Sequence, residues 1–295
     1  MRPCRSILGF LATLTLAACS AVVPRETVAP DPPPDLVPDE PYARSTHRFE
    51  LATGSEKLVG VLQVTKAVHE DTFVDLARRF NVGFEELERA NPGVDPWLPG
   101  EGKDIVLPTQ YVLPKARREG IVINLAAMRL FYFPRRVKGE PQVVYTFPIG
   151  IGRVGFDTPQ GRTRITRMAK HPSWRPGPGV RRERRAQGEI LPAVVPPGPD
   201  NPLGSRAMYL GWPSYLIHGT NQPAGIGLRS SAGCIRMFPE DVELLYELVK
   251  PGVAVTVVNQ SDVLALERPL GEARRVRNAL PIGATWNGLE SGGGE

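Results

Sequence analysis

Cysteine is scarce in this chain. Its 295 residues hold three, Cys4, Cys19 and Cys234, too few and too scattered to build a disulfide framework. Histidine is almost as rare, at four positions: His47, His69, His171 and His218. Long apolar runs are missing too. The most hydrophobic stretch, Ile7 to Leu16, is too short to span a bilayer permanently. Apart from the short arginine run at residues 181–185 no concentrated basic face is obvious, and the formal net charge is only +5. Nucleic acid needs a concentrated basic face, so it is not an expected partner. What the chain has in quantity is proline (31) and glycine (30), against a hydrophobic content of 41%. That balance gives a real core but favours loops, linkers and β structure over a helical bundle.

The first twenty residues speak to compartment. Arg2 and Arg5 precede the apolar run, and small residues follow it, in the layout of a secretory signal peptide over residues 1–18. Leu16-Ala17-Ala18-Cys19 resembles a bacterial lipobox, which implies that Cys19 is lipidated and becomes the new N-terminus; an ordinary signal cut nearby is the alternative. Ser20 resembles the residue found in lipoproteins sent on to the outer membrane. The expected location is therefore the periplasm of a Gram-negative bacterium, with a lipid anchor in the membrane. Cys4 leaves with the signal and Cys19 carries lipid, so Cys234 remains as an unpaired thiol in an oxidising compartment. Such a thiol is either deeply buried or used.

Residues 19–58 are expected to form a tether. The stretch "AVVPRETVAPDPPPDLVPDEPYARS" is rich in proline and acidic residues and cannot bury a core. At about 3.1 Å per residue its roughly 25 residues reach a few nanometres from the anchor. A small α+β module is expected over 59–112. Val61 to Ala67 is β-like, and Asp71 or Thr72 can cap a helix in which Phe73, Leu76, Ala77 and Phe80 share a face. Phe84, Leu87 and Ala90 mark a second helix ended by Asn91-Pro92-Gly93, and Ile105-Val106-Leu107 supplies a closing strand. This β-α-α-β order resembles the LysM carbohydrate-binding module, which implies a grip on N-acetylglucosamine-containing glycan such as peptidoglycan. A scaffold module without ligand is the other reading.

From Gly120 the texture changes to strands, "IVINLAAMRLFYF" and "VVYTFPIGIG". "RPGPGVRRERRAQ" reads as a lid-like loop. Pro239 to Lys250 reads as one helix with Glu240 and Asp241 in its first turn and Leu244, Leu245 and Leu248 on one face. Pro251-Gly252 ends it, and "VAVTVVN" adds a strand. The expected class is mainly β, a sandwich or barrel with one or two short helices over 119–258, preceded by the small α+β module. Residues 259–295 read as a polar, flexible tail.

Five segments carry the chemistry: "DTPQG" from Asp157, "HPSW" from His171, "PPGPDNPLG" from Pro196, His218-Gly219-Thr220, and "SSAGCIRM" ending at Met237. A thiol has a pKa of about 8.5, and only its thiolate is a strong nucleophile. An imidazole within hydrogen-bond reach can take the proton and return it to a leaving amine. The sixteen-residue separation of His218 and Cys234 is filled mainly by small residues, which let the loop fold back on itself. Gly233 is expected to leave backbone N–H groups free for a developing oxyanion.

These segments resemble the L,D-transpeptidases of the YkuD type, in particular the LysM-bearing periplasmic enzymes of Gram-negative bacteria. The resemblance implies that Cys234 is the nucleophile and His218 the base, and that the Gly219 backbone orients the imidazole. Gly233, Ser231 and Arg236 would serve the oxyanion or the substrate. Arg236 either binds a stem-peptide carboxylate bidentately or sits in a structural salt bridge. Many relatives read S-H-G-C where this chain has Ser231-Ala232-Gly233-Cys234, so all proton transfer in the segment falls to His218. His47, His69 and His171 are expected to be solvated or structural.

The implied reaction is acyl transfer on the meso-diaminopimelate–D-alanine bond of tetrapeptide stems. It releases D-alanine and forms 3→3 cross-links or attaches an outer-membrane lipoprotein; water as acceptor gives a hydrolase. No metal or organic cofactor is needed, and a carbapenem is expected to acylate Cys234. The rival from another class is a wall-binding lipoprotein with a degenerate second domain, against which the intact Cys234 and His218 argue.

Overall fold

The computed structural model describes residues 47–261 and, beyond them, the two-residue strand Arg274–Arg275; the described residues fall in one compact unit. The expected signal, the lipidation site Cys19 and most of the tether lie outside the described residues.

His47–Leu51 (β1), Leu58–Gly60 (β2) and Gln63–Lys66 (β3) open the chain. Two helices follow, Phe73–Phe80 (α1) and Phe84–Ala90 (α2), then Asp104–Leu107 (β4) and Gln110–Val112 (β5). The larger part comprises Gly120–Asn124 (β6), Arg129–Phe133 (β7), Gln142–Pro148 (β8), Ile151–Gly152 (β9) and Gly161–Lys170 (β10). After helix Pro178–Ala186 (α3) come Arg206–Leu210 (β11), Leu216–His218 (β12), Arg229–Ser231 (β13) and Ile235–Arg236 (β14). Helix Pro239–Leu248 (α4) and strand Ala254–Val258 (β15) complete it, and Arg274–Arg275 (β16) pairs parallel to β3. Part of the expected free tail therefore returns to a sheet.

The main body is a nine-stranded sheet in the order β1-β8-β7-β6-β15-β10-β11-β12-β14. Its central strands are apolar on both faces because both are covered. Ile121, Ile123, Leu130 and Phe147 point into a core shared with Val242 and Leu245 of α4. Val122, Phe131, Phe133 and Val144 point the other way, against Phe49, Val59, Tyr111 and Leu113. The second core explains a correction to the tether. Phe49 and Leu51 bury their side chains on β8, so residues 47–51 are a strand of the large sheet, paired from His47↔Thr146 to Leu51↔Gln142. His47 is accordingly buried, and its Nδ1 lies 2.7 Å from the Tyr111 hydroxyl.

In the β3-α1-α2-β4 module, Phe73, Leu76, Ala77 and Phe80 pack with Leu87, Ile105 and Leu107. Thr72 caps α1 through its side chain, accepting from Asp75 N–H while Asp75 accepts from Thr72 N–H in return. Asn81, in the left-handed conformation at φ 54°, ends the helix. The segment expected to be a lid-like loop is the helix α3. Pro178 starts it, and Arg181, Arg182, Glu183, Arg184 and Arg185 are sound helix formers whose flanking Pro and Gly residues obscure that signal. No residue of α3 is buried.

Candidate active site

Strands β12 and β14 run parallel with Ile217 opposite Ile235 and His218 opposite Arg236. Strand alternation sends the two isoleucines into the core and leaves His218 and Arg236 on the other face. Cys234 is the residue immediately before β14, and the Arg236 charge acts on both its thiol and the His218 imidazole. The resemblance's two principal residues thus stand on or next to one strand pair, at the edge of the sheet.

His218 is 4% exposed, and its Nδ1 lies 2.6 Å from the Gly219 carbonyl oxygen. A carbonyl can only accept, so Nδ1 carries the proton and Nε2 presents a lone pair. Burial, assisted by the Arg236 charge and opposed by the Gly219 carbonyl, pushes the imidazole down to about 4. It is neutral at neutral pH. Burial also pushes the Cys234 thiol up, against the opposing pull of the Leu216 backbone and the Arg236 charge. Cys234 is half-buried, and its Sγ lies 3.5 Å from the carbonyl oxygen of Ser214. Ser214 itself is held at φ 69°. The resting pair is therefore a protonated thiol and a neutral imidazole.

The turn leading into Cys234 is braced by neighbours. The Ser231 hydroxyl donates to the Cys234 carbonyl at 2.6 Å and accepts the Gly233 N–H at 3.1 Å. Thr158 Oγ1 donates to the Gly233 carbonyl at 2.8 Å. Gly233 sits at φ 100°, where an added Cβ would lie 3.0 Å from the Tyr215 ring. Two expectations change here. The Gly233 N–H is engaged by Ser231 and is not free for an oxyanion, and the buried Ser231 hydroxyl serves the turn instead of a substrate.

Arg236 is half-buried and has no carboxylate partner among the described residues; its Nε is buried without a hydrogen bond. Burial lowers its pKa, with Arg153 and Arg184 acting in the same direction. The salt-bridge reading of Arg236 finds no support in that arrangement. Arg153 was not singled out in the sequence. It ion-pairs with Glu183 of α3, donates to the Ser231 carbonyl at 3.2 Å and lies 4.3 Å over the Phe156 ring. Only the neighbouring "DTPQG" offered a signal, and it named Asp157 to Gly161 without singling out the Thr158 hydroxyl. "PPGPDNPLG" is a structural staple: buried Asn201 donates to the carbonyls of Pro172, Val195 and Pro196. His69 and His171 are exposed.

Beside the turn, a cavity of about 130 Å³ is lined by Gly152, Asp157, Thr158, Gln160, Arg229 and Asn259 among others. Among the described residues no group of three or more His, Cys, Asp or Glu side chains gathers to hold a metal ion.

Comparison with known proteins agrees with this geometry. The YkuD family, described as the L,D-transpeptidase catalytic domain, matches residues 118–258. The chain is similar to the probable L,D-transpeptidase YcfS of Escherichia coli K12, at 46% identity over 62% of this chain and 58% of that protein. It is similar also to the probable L,D-transpeptidase YbiS of the same strain, at 42% over 80% of this chain and 76% of that protein. The probable L,D-transpeptidase ErfK/SrfK of that strain is 44% identical over 72% of this chain and 68% of its own length. The chain spans under two thirds of YcfS and more than two thirds of the other two. The imidazole on β12 and the thiol just before its partner β14 are therefore features of a chain that belongs to the YkuD L,D-transpeptidase family.

Proposed function

We propose that the chain is a peptidoglycan L,D-transpeptidase in which Cys234 is acylated by the tetrapeptide stem. The observation that carries this reading is the fixed tautomer of His218, with Nδ1–H on the Gly219 carbonyl and Nε2 left as a base, on the strand paired with β14, which Cys234 immediately precedes. His218 Nε2 takes the Cys234 proton as Sγ attacks the carbonyl at the L-centre of meso-diaminopimelate. With the Gly233 N–H engaged, the oxyanion falls to the backbone N–H of Cys234. Collapse of the tetrahedral adduct breaks the C–N bond, and His218 returns its proton to the departing D-alanine amine. The thioester then passes to an acceptor amine. A diaminopimelate side chain as acceptor gives a 3→3 cross-link, a lipoprotein lysine gives a wall anchor, and water gives hydrolysis. No step calls for a metal or organic cofactor.

Arg236, unpaired and flanked by the Arg153 and Arg184 charges, is assigned to a stem carboxylate. The β3-α1-α2-β4 module is assigned to glycan, an assignment supported by exposed Trp97 and Leu98 in the loop between α2 and β4. No helix among the described residues is long and apolar enough to cross a membrane, and membrane attachment is assigned to lipid on Cys19. Mass spectrometry of disaccharide-tetrapeptide incubated with the protein tests the activity by D-alanine release. Release undiminished in Cys234→Ala would refute it. Muropeptides from cells lacking the protein identify the acceptor.

A further inference from the structure

The loop between His218 and Cys234 does not rest on the catalytic sheet alone. Its middle, the 3₁₀ turn Pro223–Gly225 and the residues after it, is clasped from two sides. On one side, Gly227 N–H donates to the Ile149 carbonyl at 3.2 Å, and the Leu228 carbonyl accepts Ile151 N–H at 3.1 Å. On the other, the first turn of α2 donates two backbone N–H groups into the loop. Phe84 N lies 3.4 Å from the Ile226 carbonyl and Glu85 N lies 3.3 Å from the Gly227 carbonyl. The approach is close enough to require glycine at 227 and to crowd a side chain at 83. Gly83 meets the Gly227 Cα at 3.2 Å from an added Cβ, and a Cβ on Gly227, at φ 79°, would lie 2.5 Å from Gly83 Cα.

A buried ion pair fixes α2 in this place. Glu86 Oε2 accepts the Gly83 N–H at 3.1 Å and pairs with Arg129 Nη2 of β7 at 2.8 Å. Arg129 is 2% exposed, stacks 3.8 Å over the Tyr111 ring and reaches Thr146 Oγ1 at 3.3 Å. From the clasped loop the backbone leads directly to the site. Gly150, next to Ile149, exchanges both hydrogen bonds with Arg236 at 2.9 Å each.

We propose that α2 of the N-terminal module is a positioning element for the catalytic loop, acting through the Gly83–Glu85 contact with Ile226–Gly227, and that the acylation rate depends on that contact. Gly227, Glu85 and Glu86 touch no substrate. They hold Gly225–Leu228 against Ile149–Ile151, and thereby the strand of Cys234 and Arg236 in register with His218. This inference rests on the proposed acyl transfer at Cys234.

The test compares two glycine substitutions in the full-length chain. Gly227→Ala adds a Cβ at the contact. Gly139→Ala, on the turn between β7 and β8, imposes similar left-handed strain at φ 89° with nothing within 4 Å of the new atom. D-alanine release from disaccharide-tetrapeptide gives kcat and KM, and thermal unfolding gives the fraction folded. The expected result is a larger loss of thermal stability in Gly227→Ala, whose Cβ also meets the Gly83–Phe84 backbone, wild-type kcat in Gly139→Ala, and kcat per folded molecule lowered at least tenfold in Gly227→Ala. Should Gly227→Ala not fold, Glu85→Pro removes the donor N–H from a helical first turn, where proline is accommodated, and is expected to lower kcat three- to fivefold; Glu85→Ala, which loses the exposed ion pair with Arg89 but keeps the N–H, is its control and is expected to keep wild-type kcat. A folded Gly227→Ala or Glu85→Pro chain with kcat within twofold of wild type overturns the inference. A wild-type chain that releases no D-alanine overturns the functional reading on which it rests.

Discussion

His218 and Arg236 are direct partners across the parallel pair β12–β14, so the buried imidazole and a half-buried guanidinium with no carboxylate partner among the described residues sit side by side. The Arg236 charge contributes to depressing the imidazole, and it also opposes the rise of the Cys234 thiol. One residue thus helps keep the imidazole neutral and, in the proposed reaction, favours the thiolate.

Removing either member of the pair should be nearly as damaging. Cys234→Ala is expected to abolish acylation by a carbapenem, read as the missing mass adduct. His218→Ala should slow D-alanine release by about 10²- to 10⁴-fold, because Ala232 offers no second base.

The pH dependence follows from His218. Its folded pKa of about 4 lies below the unfolded value of about 6.5, so between these pH values the unfolded chain binds more protons than the folded one. Its contribution to stability is complete above about pH 6.5 and is lost as the pH falls toward 4, a loss of roughly 3 kcal/mol at about 1.36 kcal/mol per unit. Denaturant titrations of wild type and His218→Gln should show this slope only in the former. Acylation should keep its rate down to about pH 5, and an acidic limb near 6.5 would contradict the assignment.

Arg236→Lys keeps a charge but not a planar fork. About tenfold higher KM with a smaller change in kcat is expected for the tetrapeptide, and Arg236→Ala should raise KM further. Equal KM values for all three proteins would place the carboxylate elsewhere.

Ser231→Ala removes two hydrogen bonds from the turn before Cys234. About 1–3 kcal/mol of stability should go with them, since the buried Gly233 N–H is left unpaired. Calorimetry reads the stability, and a fall in kcat without a rise in KM would mark the hydroxyl as a brace.

Glu86→Ala leaves the Arg129 guanidinium buried without its carboxylate, and a loss of about 3–5 kcal/mol is expected in chemical denaturation.

Local patterns made much of this architecture legible. The apolar spacing of Phe73, Leu76, Ala77 and Phe80 and the cap at Thr72 are written within ten residues, and α1 forms as that spacing predicts. Glu240 and Asp241 mark the start of α4 in the same way. The helix α3 was hidden because exposed arginines bury nothing and leave no apolar stripe to read. The strand at His47–Leu51 was hidden because its partner, β8, lies nearly a hundred residues on, and only the pairing shows why Phe49 and Leu51 are apolar. At the site, Cys234 and His218 stand out by rarity and spacing. The engagement of Gly233 N–H by Ser231, and the arrival of Arg153 at the Ser231 carbonyl, depend on where side chains land after folding.

The pairing of β1 with β8 and of Glu86 with Arg129 separates two boundaries that are commonly treated as one. The catalytic-domain family match, residues 118–258, is shorter than the stretch whose cores pack together. Cut out at those limits, it would expose Val122, Phe131, Phe133 and Val144 to water and leave Arg129 without the Glu86 carboxylate and the Tyr111 ring. An exchange of N-terminal modules between relatives would meet the same seam, and grafts should succeed only where the acid on the incoming helix and the base on the receiving strand travel together.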